Sequence, residues 1–516
     1  MKRQLFPSRV PGATVGLIAM LTVLAVALCG APPALAAEQV LRVRLLGDIE
    51  GLDPAHIRSP HENYLAWNVY NALIRYKPGT ADLEPDLAER WEVSKDGKAY
   101  TFWLRKNVVW HKGFGKFTSA DVKYSFGRVM DPATKSRYRG LFTNVERIET
   151  PDDSTARIVL KAADPSFPTN ALPFRPGWIV NQKAVERYGR DYGVNPVGTG
   201  PFVLESWTPG TRGVLVANDQ YFEGEPKLRR VEFIPIVRDE VAELALKRGE
   251  LDVMTVRSPE VYQRLRKDAS IRVGERLLSG VWNLWLDAKQ GPFTNRELRR
   301  AVAHALDREA IAATVLQGLA QPAHNTISPM FPGYTEEIAR YPYDPKKAQE
   351  IVKAAGAQGT TVKLLVSTLA PWPQVMPVIQ QSLEQAGFKV EANLTEYGAW
   401  FTEVRKRNYH IAAMGLVRPP DALASFSESF ASRNAGFAGN FSYYEAIDGQ
   451  IEAAYAAETQ AKRLELYKEM QRRVAEDAPV VPLFYLKVIV AARSNVVNVP
   501  IGIINDMWLY RTHLAQ

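Results

Sequence analysis

From Val40 the run Val-Leu-Arg-Val-Arg-Leu-Leu46 alternates apolar and polar residues with the period of two of a half-buried strand, and Gly47-Asp48 with Leu52-Asp53-Pro54 closes it in a loop. A second alternating run occupies Tyr100 to Val109. The period then changes: Thr118-Ser-Ala-Asp121 has the spacing of a capping box, and Val122, Phe126 and Val129 follow at helical intervals. Thr294-Asn-Arg-Glu297 repeats the signature ahead of Leu298, Ala301, Val302, Ala305 and Leu306, predicting one helix that halts near Gly318. Asp344-Pro345 offers a cap and a first-turn proline, with Gly356 as the stop. Leu364–Val366, a helix over 374–385 and Lys389–Leu394 read as strand, helix, strand, which suits a parallel crossover. Strands and helices mix along the whole chain without an internal repeat or a low-complexity linker, so the prediction is an α/β protein with interlaced domains.

Asn195-Pro-Val-Gly-Thr-Gly-Pro-Phe202 sets two glycines one residue apart. A phosphate-cradling loop needs free amides and a following helix, whereas here Pro201 removes a donor and Phe202–Trp207 alternates like a strand. The stretch reads as a tight turn feeding a strand.

Composition adds an address. The 516 residues are 46% hydrophobic and 23% charged, a globular balance long enough for roughly two to four domain-sized units. Lys2, Arg3 and Arg9, an apolar run from Ala13 to Leu28, and the A-x-A pattern Ala34-Leu35-Ala36 form a signal peptide over residues 1–36, cleaved after Ala36, which predicts a periplasmic protein. Cys29, the only cysteine, lies in that leader. Lipid attachment there is the alternative, but Leu28 stands where a lipobox places a small residue. The mature chain then has neither thiol nor disulfide and must fold on its core alone.

The formal charge of +8 includes the three leader cations, so the remaining +5 is mild, and no dense basic run with interleaved aromatics marks a nucleic-acid surface. No nucleic-acid partner is expected. There is no G-x-S-x-G elbow and no H-E-x-x-H helix, and the seven histidines never pair at i, i+4. His56 and His61 share a loop but suit a surface as well as a metal, so neither metal nor cofactor is expected. Paired glycosidase carboxylates lie far apart in a chain, so a secreted glycosidase-like hydrolase stays open as the alternative.

Several blocks then carry a resemblance. Leu83-Glu-Pro-Asp-Leu-Ala-Glu-Arg-Trp-Glu-Val-Ser-Lys-Asp-Gly97, Tyr100–Lys106, Phe117-Thr118, Asp121-Val122, Ser125-Phe126, the G-T-G-P stretch, Pro292–Val302 with Asp307–Ile311, Tyr343–Ala348 and Glu476–Phe484 resemble the peptide/nickel-type solute-binding proteins of bacterial ABC importers, in the family's order. The resemblance implies a two-lobed periplasmic-binding-protein fold of type II, with an extra subdomain in the N-terminal lobe and a ligand cleft between lobes. Lobe I would comprise 37–70, 196–283 and 492–516, the extra subdomain 71–195 and lobe II 284–491. The G-T-G-P turn would lie at the return from the subdomain, Gly198 and Gly200 supplying backbone freedom. Function would be hinge closure on a small molecule or peptide by a monomer read by an inner-membrane ABC permease, with no bond made or broken. A periplasmic chaperone on the same fold is a further alternative.

Site residues follow from the same resemblance. Peptide-binding relatives carry an aspartate four residues after a glycine, where it pairs with the peptide amino terminus. In Gly415-Leu-Val-Arg418-Pro419-Pro420-Asp421 that count reaches a proline, so Arg418 and Asp421 become the candidates, Arg418 favouring an anionic or hydroxyl-rich end and Asp421 a displaced amine anchor. Asn283 and Trp285 share one strand face with Asp287, opposite Trp282. Trp285, Trp372 and Tyr397 match cleft-lining places, though each equally suits core packing. Arg58 and His61 fall on the matching loop after the first strand.

Overall fold

The computed structural model describes residues 39–436, 439–504 and 506–515, so the expected signal peptide and Cys29 lie outside the described residues. From Val40 onward the chain forms one compact unit. Its frame is a twelve-stranded mixed sheet, its strands numbered here in chain order: β1 Val40–Leu45, β2 Phe202–Thr208, β3 Arg212–Ala217, β4 Arg230–Pro235, β5 Val253–Val256 and β6 Ile271–Leu277. The others are β7 Val281–Leu286, β8 Ala320–Pro322, β9 Thr361–Ser367, β10 Lys389–Thr395, β11 Ile411–Leu416 and β12 Val480–Arg493. The order is β10-β9-β11-β7-β12-β5-β1-β4-β3-β2, with β6 and β8 also pairing β12.

Two parallel groups stand at opposite sides of this sheet. β1 runs parallel to β4 and β5, and β9 runs parallel to β10 and β11. The crossover expected around the helix Trp372–Gln385 is the β9/β10 pair. β12 joins the groups: Val480 to Phe484 face β7, and Lys487 to Arg493 face β6. The expected domain boundaries at 283/284 and 491/492 fall inside β7 and β12. In β1 the alternating Leu41, Val43 and Leu45 are at most 1% exposed, so the period-two pattern is a core pattern.

A separate antiparallel sheet of Ala88–Val93, Ala99–Leu104, Thr155–Leu160 and Val145–Asp152 is covered by the helix Ser119–Met130. Thr118 and Asp121 form the predicted capping box, and Val122, Phe126 and Val129 are buried beneath it. The other predicted box is absent. Asn295 caps instead, its side chain accepting the Glu297 amide at 2.9 Å, while the Thr294 hydroxyl turns back to the Gly291 carbonyl. Nor does that helix reach Gly318: it ends at Ala305, and Asp307 caps a new short turn by accepting the Ala310 amide at 2.8 Å. A side-chain acceptor competing for backbone donors ends one helix and starts the next.

The G-T-G-P turn has a different logic from the expected one. Neither Gly198 nor Gly200 adopts positive φ. A Cβ on Gly200 would stand 2.5 Å from the Asn68 carbonyl oxygen, and one on Gly198 would overlap that of Val69. Close approach, not backbone freedom, requires these glycines. Gly200 N donates to Val69 O, and His111 clamps the turn from the other side: its Nδ1 accepts from Gly198 N and its Nε2 donates to Gly200 O at 2.9 Å.

Candidate functional site

β7 and β11 pair antiparallel with Asn283 opposite Met414 and Trp285 opposite Ala412, and all six β7 residues are buried. Where β11 runs out, Asn283, Trp285 and Arg418 converge with Thr326, Phe331 and Leu416 on one small recess. Three predicted residues are thus brought together. Asn283 donates to Val281 O, leaving its Oδ1 buried without a partner, as is the Thr326 hydroxyl. Trp285 sets its edge on Phe441 at 5.5 Å and donates from Nε1 to Met414 O.

Arg418 is held by its surroundings. Its Nε pairs with Glu428 at 3.1 Å, its Nη1 donates to Ser425 O and the Ser429 hydroxyl, and its Nη2 lies where a Cβ on Gly439 would be 2.5 Å away. All of these partners except Gly439 lie on the helix Ala422–Phe430, which Asp421 caps by accepting Ala424 N at 2.7 Å. The other Asp421 oxygen accepts the Thr169 hydroxyl, so neither is free for a ligand amine. Burial pushes the Asp421 carboxyl up and the Arg418 guanidinium down from their usual values.

Thr169 also connects this recess to a second one, because its carbonyl accepts the Tyr76 hydroxyl. Trp67, Arg75, Tyr76, Trp178, Asp506 and Trp508 line that small space. Trp67 stacks on Phe174 at 5.7 Å and meets Trp178 edge-on at 5.3 Å, its own Nε1 buried and unpartnered. Arg75 lies 4.3 Å over Trp508 and pairs with Glu84, Asp86 and Glu223, while burial pushes Asp86 up to about 6. These aromatics escaped the sequence reading because a tryptophan in a strand or helix looks the same whether it faces core or cleft.

The remaining candidates lie elsewhere. Trp372 is 2% exposed and packs at 5.9 Å from Phe484 in the core. Tyr397 is 39% exposed, edge-on to Phe401 at 5.2 Å, with Arg137 and Arg175 close enough to act on its hydroxyl. Arg58 is exposed, its amide donating to Glu62 at 2.6 Å. His61 sits against Gly47 with Nδ1 buried and unpartnered; burial, and then the nearby Arg257, pull it down to about 4, so it is neutral. Arg257 went unnoticed in the sequence. Among the described residues no group of three or more His, Cys, Asp or Glu could hold a metal ion, and no helix is long and apolar enough to cross a membrane.

This arrangement has known counterparts. The family model for bacterial extracellular solute-binding proteins, family 5 (middle), matches residues 82–437, and the chain belongs to that family. Its fold is the two-lobed type II periplasmic-binding-protein fold, and it works as a solute-binding protein of an ABC importer. Di/tripeptide-binding protein 2 of Pseudomonas aeruginosa is 30% identical over 87% of this chain and 90% of its own. The heme-binding protein A of Haemophilus influenzae is 28% identical over 84% of each. Among solved structures, the periplasmic binding protein DppA of Helicobacter pylori with peptide STSA has a TM-score of 0.80 at 28% identity, covering 92% of this chain and 98% of its own. MoaA of A. tumefaciens R10 with mannopinic acid scores 0.79 at 28% identity, covering 93% and 100%. Relatives of equal similarity therefore carry names for chemically unlike ligands.

Proposed function

We propose that this protein is a periplasmic, monomeric receptor that closes over one small polar solute, presents it to a membrane permease and does no chemistry on it. The solute would lie between lobe I (37–70, 196–283 and 492–516, with the extra subdomain 71–195) on one side and lobe II (284–491) on the other, the lobe division expected from the sequence. Asn283, Trp285 and Arg418 would form one wall and Tyr397 part of another. Trp67, Trp178 and Trp508 would supply the apolar faces that such pockets use, with the unpartnered Asn283 Oδ1 and Thr326 hydroxyl fixing orientation.

The observation that carries this reading is the Thr169 to Asp421 contact, which ties residues 71–195 to residues 284–491 between two polar and aromatic recesses. Contacts made only when the two parts meet favour a closed form that a ligand can select. X-ray scattering from protein stripped by unfolding and refolding, then mixed with the solute that unfolding released, tests it. The radius of gyration should fall on addition. An unchanged radius, or conversion of the released solute to products, would sink the receptor reading.

A further inference from the structure

Arg257 lies just beyond the carboxyl end of β5, beside the carboxyl ends of parallel β1 and β4. In open α/β sheets that edge is where ligands bind. Arg44 and Asp239 build its support. Arg44 is 0% exposed and donates to the carbonyls of Ile236, Thr255 and Val237, each at 2.7 Å, fastening the ends of β4 and β5 together. Asp239 pairs with Arg44 at 2.8 Å and takes the amides of Arg257 and Ser258 on its other oxygen, at 2.6 and 2.7 Å. The backbone of Arg257 is therefore fixed while its side chain reaches out.

Among the described residues no carboxylate pairs with that side chain, Asp239 acting on it only from a distance. Among the described residues its guanidinium makes no hydrogen bond, ion pair or ring contact, and it is exposed. The surrounding protein nonetheless strips enough water to lower its pKa, as in a recess wall and unlike a solvated surface arginine. Its neighbours are Tyr64 and neutral His61. The three nearby carboxylates are all engaged: Asp239 as above, Glu62 by the amides of Glu50, Arg58 and Ser59, and Asp506 by the Ile504 amide. Asp506, a lining residue of the aromatic recess, acts on the same Tyr64 hydroxyl as Arg257.

We propose that Arg257 is the anchor for an anionic group, a carboxylate or phosphate, on the captured solute. The inference rests on the receptor reading and gives its solute a charge. Arg418, already neutralised by Glu428, asks for no second anion, whereas a ligand oxyanion on Arg257 would satisfy an otherwise unpaired cation with a two-pronged donor.

Inorganic phosphate is the probe, titrated against stripped protein and followed by tryptophan fluorescence. Wild type should bind it saturably. Arg257→Ala should lose about ten- to a hundredfold in affinity, the range for a hydrogen bond to a charged group. Arg257→Lys should recover only part, and Arg238→Ala, which removes a mostly exposed cation, should leave binding unchanged. Circular dichroism should show both Arg257 variants folded, since no partner is lost. Equal phosphate affinity in wild type and Arg257→Ala, or no saturable binding in wild type, overturns the assignment. A solute released on unfolding that has no acidic group overturns it too, and leaves the receptor reading intact. Phosphate binding that depends on Arg257, in a protein that never compacts with its released solute, supports the anion site and removes the receptor.

Discussion

Arg418 and Arg257 both follow a strand end, and both have their charged form disfavoured by burial, yet their company differs. Arg418 is enclosed by one helix that supplies a carboxylate, a hydroxyl and a carbonyl. Arg257 has its main chain bolted down by Asp239 and, among the described residues, no partner on its guanidinium. The first arrangement is how a protein fixes a loop, and the second is how it offers a charge. The sequence makes Arg418 a candidate for an anionic ligand end and Asp421 a candidate amine anchor; the engaged partners of both favour the proposed role of Arg257.

The contrast breaks most readily at Arg418. Arg418→Ala leaves Glu428 unpaired and removes the tie between the loop and its helix, so urea denaturation should show a loss of about 2 kcal/mol. Part of the larger penalty of a fully buried pair is absent because Glu428 keeps 36% of its side chain exposed. Arg257→Ala should cost less than about 0.5 kcal/mol, as for other substitutions that remove no contact. Glu428→Gln sharpens the same point: with its counter-charge gone, Arg418 should become a second phosphate site. Equal stability of both arginine variants would erase the distinction.

A second test uses pH. His61 titrates at about 4 when folded, burial being the first cause and Arg257 the second. The unfolded value is about 6.5, so as pH falls the unfolded chain takes up this proton first. The stability linked to His61 is therefore intact above about 6.5 and lost as pH falls through the window down to about 4. In Arg257→Ala the folded value should rise, remaining below 6.5 because burial persists, and the acid loss should shrink. His111, also pulled down to about 4 by burial, contributes the same loss to both proteins and cancels in the difference. Proton NMR titration of the His61 ring reads the shift directly, and an unmoved His61 would mean that the Arg257 guanidinium is not beside it.

How much of this could be read from residues alone depends on whether the signal is local. The period of two made β1 legible, and the capping box over Thr118–Asp121 made its helix legible, because both are fixed within a few positions. Thr294 and Asn295 are adjacent good caps, and only the turn at Gly291 decides between them. Gly198 and Gly200 looked like freedom and proved to be clearance, since the carbonyls they avoid belong to residues 68 and 69, far away in the chain. For the arginines the deciding fact is a three-dimensional inventory: Glu428 comes ten positions after Arg418, and Asp239 satisfies Arg44 from 195 positions away. Recognition of the family blocks named Asn283, Trp285 and Arg418, which the fold gathers on one recess, but could not say which charges were already matched.

The smallest expected effect belongs to Asp421→Asn, and it tests the sign of the anchor. Asp421 serves as a helix cap and as acceptor for Thr169. Asparagine caps as well as aspartate, its carbonyl can keep the Ala424 amide, and the Thr169 hydroxyl can rotate to accept from the new amide. Removing a carboxylate whose ionisation burial already disfavours offsets part of any loss. Stability should therefore change by less than about 0.5 kcal/mol, and the purified variant should carry its solute in the same amount as wild type. Asp421→Ala, which loses the cap outright, should cost about 1 kcal/mol. The opposite reading makes Asp421 a displaced amine anchor, and it requires Asp421→Asn to emerge empty while Arg257→Ala stays loaded. Mass spectrometry of the material released by unfolding each variant separates them, because an empty Asp421→Asn beside a loaded Arg257→Ala would turn the site from one that selects an anion into one that selects a cation.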